Sequence, residues 1–275
     1  VNIVAKDPPK PVIRLPFPSV GATENLMMYA STLQRRTVIQ NAAREPEIVD
    51  LAAFLTAAGA AVRGAGTNRL EIVGAARLSG VKHRVIPDRV EAGTYAVAAA
   101  LTRGDVRLLH TRPDHIEAIL DKLGEAGARV DRDVDEVRIS ADRRPRSITL
   151  TTMPYPGFPT DMQAQFMALM AVGDDTAVIT ETVFENRFMH AAELMRMGAD
   201  IRLDGRVAAI KGVKRLKGAP VTASDLRASA ALVLAGLAGE GRTTVNRVYH
   251  IDRGYESMEN KLHKLGAHIS RRKHI

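Results

Sequence analysis

The Gly-Ala pairs Gly59-Ala60, Gly127-Ala128, Gly198-Ala199 and Gly266-Ala267 lie 68, 71 and 68 residues apart, so a block of about seventy residues recurs along the chain. Each pair closes an amphipathic helical pattern and opens a short apolar run. Ahead of each pair an Arg sits in a polar loop: Arg44 in Ala-Arg-Glu-Pro-Glu, Arg112 in Thr-Arg-Pro-Asp-His, Arg187 in Glu-Asn-Arg-Phe and Arg253 in Asp-Arg-Gly-Tyr-Glu. Every one of these arginines follows a β-rich run (37–40, 106–110, 177–180 and 243–248) and precedes a helical pattern. Helix N-termini present unpaired N–H groups and the positive end of a dipole, so an Arg placed there adds to a ready anion site.

Each repeat reads as helix, strand, Arg loop, second helix and closing strands. The first helices (23–33, 90–101, 161–170 and 225–237) are apolar on nearly every face, which marks them as buried. The second helices carry a narrower stripe, clearest at Tyr255, Met258, Leu262 and Leu265. Gly64-Ala65-Gly66-Thr67-Asn68 lacks the third glycine of a dinucleotide fingerprint and falls between two apolar runs, so it is expected to be a hairpin turn. Residues 7–18 hold five prolines and suit only an edge strand or an extended connector. A boundary is expected at Pro87-Asp88, after a strand at 83–86. It gives a domain at 1–86 with one repeat and a domain at 87–275 with three.

A chain of 275 residues, 45% hydrophobic, can build one large or two medium cores. Absence of Cys excludes disulfides, thiolate catalysis and Cys-ligated metal in this chain, and it accords with a cytoplasmic location. No histidine pair has metal-ligand spacing, and neither a nucleophile-elbow serine nor a phosphate-loop lysine motif is present. Apolar stretches such as 96–101 and 228–237 are too short to span a membrane, and none reads as a signal peptide. The net charge of +8 fits an anionic small molecule better than nucleic acid, because the basic residues lie among acidic ones and aromatics are only 4%. The first residue is Val, which suggests a chain that starts inside a larger gene product or has been cut.

Taken singly, the charged residues allow local roles. Asp161 and Asp225 could cap or open helices, Arg227 could pair with Asp225 or Glu240, and Arg253 could be held by Asp252 or Glu256. Their combination says more. Pro-Phe-Pro-Ser-Val-Gly-Ala-Thr-Glu-Asn (16–25), Arg-Glu-Pro-Glu-Ile-Val-Asp (44–50), Phe-Pro-Thr-Asp-Met-Gln-Ala-Gln-Phe (158–166), Phe-Glu-Asn-Arg-Phe-Met-His (184–190), Asp-Leu-Arg-Ala-Ser-Ala (225–230) and Tyr-His-Ile-Asp-Arg-Gly-Tyr-Glu (249–256) occur in that order. Together they resemble the UDP-N-acetylglucosamine enolpyruvyl transferases over essentially the whole chain.

That resemblance implies an α/β fold, an inside-out barrel of six βαβαββ units in two domains, of which about four units correspond to this chain. It implies transfer of the enolpyruvyl group of phosphoenolpyruvate to the 3-hydroxyl of UDP-N-acetylglucosamine with release of phosphate, the first committed step of peptidoglycan synthesis, with neither metal nor organic cofactor. Ser19, Val20 and Gly21 would contact the nucleotide, while Val183, followed by Phe184, would hold the sugar nucleotide through its backbone. Asp161 would take the 3-hydroxyl proton, Arg253 would grip phosphoenolpyruvate, and Asp225 with Arg227 would line the floor of the cleft. A hydroxyl nucleophile needs a positioned carboxylate, and a multiply charged anion suits a planar guanidinium.

Departures from the family pattern are equally specific. The family's N-terminal units carry a Lys-Asn pair, further arginines and a mobile Cys or Asp loop, none of which has a counterpart here, and Phe17 stands where many relatives place Lys. The chain alone is therefore expected to be inactive. It is also expected to associate, either with an N-terminal portion or with itself, and a catalytically inactive UDP-sugar-binding or regulatory relic is the alternative reading.

Overall fold

The computed structural model describes residues 11–272, so the start of the proline-rich segment, residues 7–10, lies outside the described residues. The chain folds as two compact units, residues 11–86 with Pro154–Pro156, and residues 87–153 with 157–272.

The first unit runs β1 (Val12–Arg14), α1 (Val20–Ser31), β2 (Arg36–Gln40), α2 (Pro46–Ala57), β3 (Ala61–Arg63) and β4 (Arg69–Val73). Its sheet has the order β1-β2-β4-β3, with β1 parallel to β2 and the other pairs antiparallel. Between Pro11 and Pro16, β1 is an edge strand, where prolines interrupt no ladder on the outer side. Met27, Ile39, Ile48, Leu70 and Ile72 fill the core beneath the two helices.

Gly64 (φ +79°) and Gly66 (φ +80°) form the turn between β3 and β4. A Cβ on Gly64 would meet the Arg69 carbonyl oxygen, so only glycine fits there. Residues 83–86 do not form the expected strand. His83 instead places Nε2 2.9 Å from Asp50 Oδ1 and its ring edge-on to Phe54, so side chains anchor this segment to α2 in place of a ladder, and Val85 is left 73% exposed.

The second unit runs α3 (Arg89–Thr102), β5 (Asp105–Leu109), α4 (Glu117–Glu125), β6 (Arg129–Arg132), β7 (Glu136–Ser140), β8 (Thr149–Thr151), α5 (Gln163–Ala171), β9 (Thr176–Thr180), α6 (His190–Arg196), β10 (Asp200–Asp204) and β11 (Val207–Lys211). It continues with β12 (Leu216–Lys217), β13 (Pro220–Thr222), α7 (Leu226–Ala238), β14 (Gly239–Glu240), β15 (Thr244–Asn246) and α8 (Met258–Lys264). Sheets of order β5-β7-β6 and β10-β11-β9-β8 are joined by the parallel pairs β12–β14 and β13–β15.

Helices α3, α5 and α7 pack on one another. Every residue of α5 is buried, as are Ala96–Ala100 of α3 and Leu232 of α7. Phe166 meets Phe158 edge to face at 4.8 Å between ring centroids. Each large side chain buried here contributes about 1.5–3 kcal/mol, and the strands and the remaining helices add Ile119, Leu120, Ile139, Ile179 and Ile210 to the same core.

Gly59, Gly127, Gly198 and Gly266 all end helices with positive φ, between +87° and +116°. The strand expected after Gly266-Ala267 is not formed among the described residues. The stripe of the last helix also breaks: Ser257 at φ +47° separates Tyr255 from α8, and Leu265, beyond the final helical turn, is 54% exposed.

Candidate active site

Asp161 lies in a 3-10 turn, Thr160–Met162, ahead of α5, and no side chain caps α5. The helix-capping role open to it from sequence is therefore not the one it plays. Its carboxylate is shared between two guanidiniums. Arg187 Nη2 donates to Oδ1 at 2.8 Å, and Arg227 donates to Oδ2 from Nε at 3.2 Å and Nη2 at 3.1 Å. Burial pushes the Asp161 carboxyl up, but the charges of Arg227 and Arg187 outweigh it and hold the group below the ordinary carboxylate range. The Asp161 side chain is 36% exposed against 19% for Arg187 and 14% for Arg227, so a solute can reach the acid while the arginines behind it stay sheltered.

Asp225 has a different task. Its Oδ1 accepts the backbone N–H groups of Arg227 at 2.9 Å and Ala228 at 3.0 Å, so it is the N-cap of α7. The ion pair of Arg227 with Asp225 or Glu240, open from sequence, is not formed: Glu240 pairs with Arg215, and the Arg227 guanidinium turns to Asp161.

Val183 and Phe184 are held by a residue that sequence reasoning missed. Glu181, 1% exposed, accepts the hydroxyls of Thr152 and Thr160, each at 2.8 Å, and the backbone N–H groups of Val183 and Phe184, each at 2.9 Å. A buried carboxylate with four donors is well compensated. It also ties the turn carrying Asp161 to the 183–184 turn, and any backbone contact of Val183 with a ligand falls to its carbonyl. Phe184 is 57% exposed, with its ring 5.0 Å from the Arg187 guanidinium carbon.

The loop arginines diverge in their surroundings. Arg112 makes two hydrogen bonds to Asp114, and Arg187 grips Asp161. Arg253 is exposed on the 3-10 helix Val248–Arg253. The partners open to it from sequence are occupied elsewhere, since Asp252 pairs with Arg271 and Glu256 faces Lys261. Among the described residues no hydrogen bond or ion pair engages the Arg253 side chain.

In the first unit, Ser19 is the N-cap of α1, its Oγ accepting the Ala22 N–H at 3.3 Å, and Val20 and Gly21 form the first turn. A Cβ on Gly21 would meet nothing within 4 Å.

Arg187, Glu181, Tyr255 and His190 complete the second unit's site. Arg187 and His190 stood in the string Phe-Glu-Asn-Arg-Phe-Met-His, and Tyr255 stood in Tyr-His-Ile-Asp-Arg-Gly-Tyr-Glu but read only as part of a helical stripe, while nothing local marked Glu181. The His190 imidazole, 2% exposed, bonds the Arg187 backbone, and burial pushes its pKa down to about 4 against the pull of Asp225. Among the described residues no group of His, Asp and Glu could hold a metal ion, and no helix is long and apolar enough to cross a membrane.

An ionised carboxylate between two arginines, at the head of a buried helix in a mixed α/β fold, accords with the family to which residues 7–262 match: the chain belongs to the EPSP synthase (3-phosphoshikimate 1-carboxyvinyltransferase) family. Its curated relatives include the UDP-N-acetylglucosamine 1-carboxyvinyltransferases of Geobacter metallireducens, 54% identical over 259 residues, and of Halorhodospira halophila, 56% identical over 259 residues. Both alignments cover 94% of this chain and 62% of the relative, so the chain spans about three-fifths of their length. Among solved structures, the enolpyruvyl transferase NikO from Streptomyces tendae superimposes with a TM-score of 0.81 at 30% identity, covering 90% of this chain and 59% of that one. EPSP synthase from Acinetobacter baumannii shares the fold, with a TM-score of 0.67 at 21% identity over 92% of this chain and 62% of that one.

Proposed function

We propose that this chain carries part of the active site of an enolpyruvyl transfer from phosphoenolpyruvate to the 3-hydroxyl of UDP-N-acetylglucosamine, a step of peptidoglycan synthesis. The observation that carries the reading is Asp161 between Arg187 and Arg227. In the reaction the acceptor oxygen bonds to the central carbon of phosphoenolpyruvate as the double-bond electron pair takes up a proton at the methylene carbon, and the hydroxyl proton passes to Asp161. Loss of a proton from the resulting methyl group then restores the double bond as the carbon–oxygen bond to phosphate breaks. Asp161 clamped by two cations is a weak base, so it first orients the hydroxyl and accepts the proton late, as the new bond forms. An anionic substrate that draws one guanidinium onto itself would raise the basicity of Asp161 where it is needed.

Arg253, exposed and unengaged, is the proposed grip on phosphoenolpyruvate. Ser19, Val20 and Gly21 are proposed to contact the nucleotide, and the Val183 carbonyl and Phe184 the sugar nucleotide. In this reading Asp225 acts through α7, which aims Arg227. We also propose that the first and second units belong to the two domains of an inside-out α/β barrel built from βαβαββ units. The recurring glycine-ended helices and the packing of α3, α5 and α7 support it.

The sugar-nucleotide acceptor is favoured over 3-phosphoshikimate by the identities above 50% with sugar-nucleotide enzymes. Because the chain spans about 62% of their length, turnover is proposed for the complete site and background activity for this chain alone. The test mixes the chain with phosphoenolpyruvate and either acceptor, with and without the N-terminal portion of a relative, and measures phosphate release and the mass of the product. Enolpyruvyl-UDP-N-acetylglucosamine formed only with the added portion is the expected result. Turnover with 3-phosphoshikimate instead would overturn the acceptor assignment. Sugar-nucleotide binding with no turnover in the complemented mixture would favour the inactive relic.

A further inference from the structure

Tyr255 is 1% exposed, yet its hydroxyl meets three polar side chains from three buried helices. Thr94 Oγ1 of α3 lies at 2.9 Å, Gln165 Nε2 of α5 at 3.4 Å and Arg227 Nη1 of α7 at 3.4 Å. The direction of the shortest bond follows from hydrogen count. Thr94 has one hydroxyl hydrogen, and it is directed to the Val90 carbonyl at 2.8 Å. Thr94 Oγ1 therefore accepts, from Gln165 Nε2 at 3.1 Å and from the Tyr255 hydroxyl. With its proton committed to Thr94, the Tyr255 oxygen turns its lone pairs to the donors Gln165 and Arg227. The ring also lies beside the guanidinium, 5.7 Å from its centroid to Arg227 Cζ. The same guanidinium uses Nε and Nη2 on Asp161, so one planar group is fixed at both ends.

We propose that Tyr255 is a positioning residue whose hydroxyl, polarised by Thr94, fixes the Arg227 guanidinium in the plane that grips Asp161. Its value to catalysis rests on the role proposed above for Asp161, but the contact itself does not, so the two can fail separately. The charged and titratable groups around the pair are Arg187 on Asp161, Asp88 near Arg227, and Tyr95 near Tyr255.

The test follows the Asp161 carboxyl carbon by NMR through an acid titration of the whole chain. Tyr255→Phe keeps the ring and deletes the hydroxyl. Releasing one end of the guanidinium weakens its hold on Asp161, so the midpoint should move up by about half a pH unit to one unit. Tyr95→Phe is the matched control: Tyr95 is buried, and its hydroxyl has no hydrogen-bond partner. It should leave the midpoint in place. A folded Tyr255→Phe that titrates as the parent, or an equal shift in both variants, would overturn the proposal.

A second measurement needs no substitution. In the unmodified chain, rotation of the Arg227 Nη1 group should be slowed well beyond that of exposed Arg253. A freely rotating Arg227 would overturn the proposal even if Tyr255→Phe failed to fold. In the complemented transferase, Tyr255→Phe should move the acid limb of the kcat–pH profile with the carboxyl midpoint, a change that general loosening would not produce.

Discussion

Asp225 binds the backbone N–H of Arg227 at 2.9 Å and leaves the guanidinium of the same residue to Asp161. One acidic residue thus aims the partner of another. The cap fixes where α7 begins, the helix fixes where Arg227 projects, and Arg227 with Arg187 fixes the state of the Asp161 carboxyl.

Loss of that cap should separate Asn from Ala. Asp225→Asn keeps an oxygen able to accept both N–H groups and should cost a few tenths of a kcal/mol, whereas Asp225→Ala should cost about 1 kcal/mol. Urea midpoints at pH 7 measure both. Equal losses would show that the charge of Asp225, and not its acceptor geometry, stabilises the helix.

Asp161→Asn should now be destabilising on its own account, because it leaves two arginines facing a neutral amide. We expect a loss of about 1–2 kcal/mol, less than for a fully buried pair because the carboxyl is partly solvated. The parent's contribution from this pair should be complete above the ordinary carboxylate range and decline as pH falls through the depressed pKa of Asp161. Denaturant titrations at pH 7 and pH 3 should show the variant's deficit shrinking at the lower pH. In the complemented transferase the same variant should lower turnover by about 10²-fold or more.

Glu181→Gln should be worse for stability than its small change in shape suggests. An amide carbonyl in the place of Oε1 keeps the Thr152 hydroxyl and the N–H groups of Val183 and Phe184 as weaker, neutral hydrogen bonds, but the amide nitrogen in the place of Oε2 cannot accept from the Thr160 hydroxyl. A loss of about 2 kcal/mol is expected. Backbone amide exchange at Val183 and Phe184 should accelerate, and protection equal to the parent's would argue against the arrangement.

His190 should give the chain an acid sensitivity of its own. Its ring is neutral in the folded state down to about pH 4 and titrates near 6.5 when unfolded. The folded state is undisturbed above about pH 6.5 and loses up to about 3 kcal/mol as pH falls towards 4, because only the unfolded imidazole takes up the proton. His190→Gln should flatten stability across that window, as read from urea midpoints at half-unit steps. An unchanged slope would assign the sensitivity to other groups.

Arg253→Lys should leave the melting temperature within about 1 °C of the parent, since a surface substitution without intramolecular partners costs little. Lys keeps the charge but loses the planar fork. Calorimetry on the complemented transferase with UDP-N-acetylglucosamine bound should show weaker phosphoenolpyruvate binding in the Lys variant. An unchanged response would remove Arg253 from the proposed phosphoenolpyruvate contact.

What the chain declares in one dimension is local. β-rich runs marked strands such as 37–40, 106–110 and 177–180, and apolar character on nearly every face marked the buried helices at 90–101, 161–170 and 225–237. Gly59, Gly127, Gly198 and Gly266 marked helix ends because only a residue without Cβ takes positive φ cheaply. The six strings of residues led to the family by resemblance, and with it to Asp161, Asp225, Arg227 and Arg253. Partner choice was not legible. Arg227 and Asp161 are 66 positions apart, Thr94 and Tyr255 161 apart, and Glu181 gathers donors from three segments. A carboxylate accepts from whichever donor the packing of the second unit brings within hydrogen-bond reach, and such packing is a property of the whole unit. Sequence therefore determined which residues could carry charge at the heads of these helices, and tertiary structure alone decided that Asp225 caps, Asp161 is clamped, and Arg253 is left unengaged.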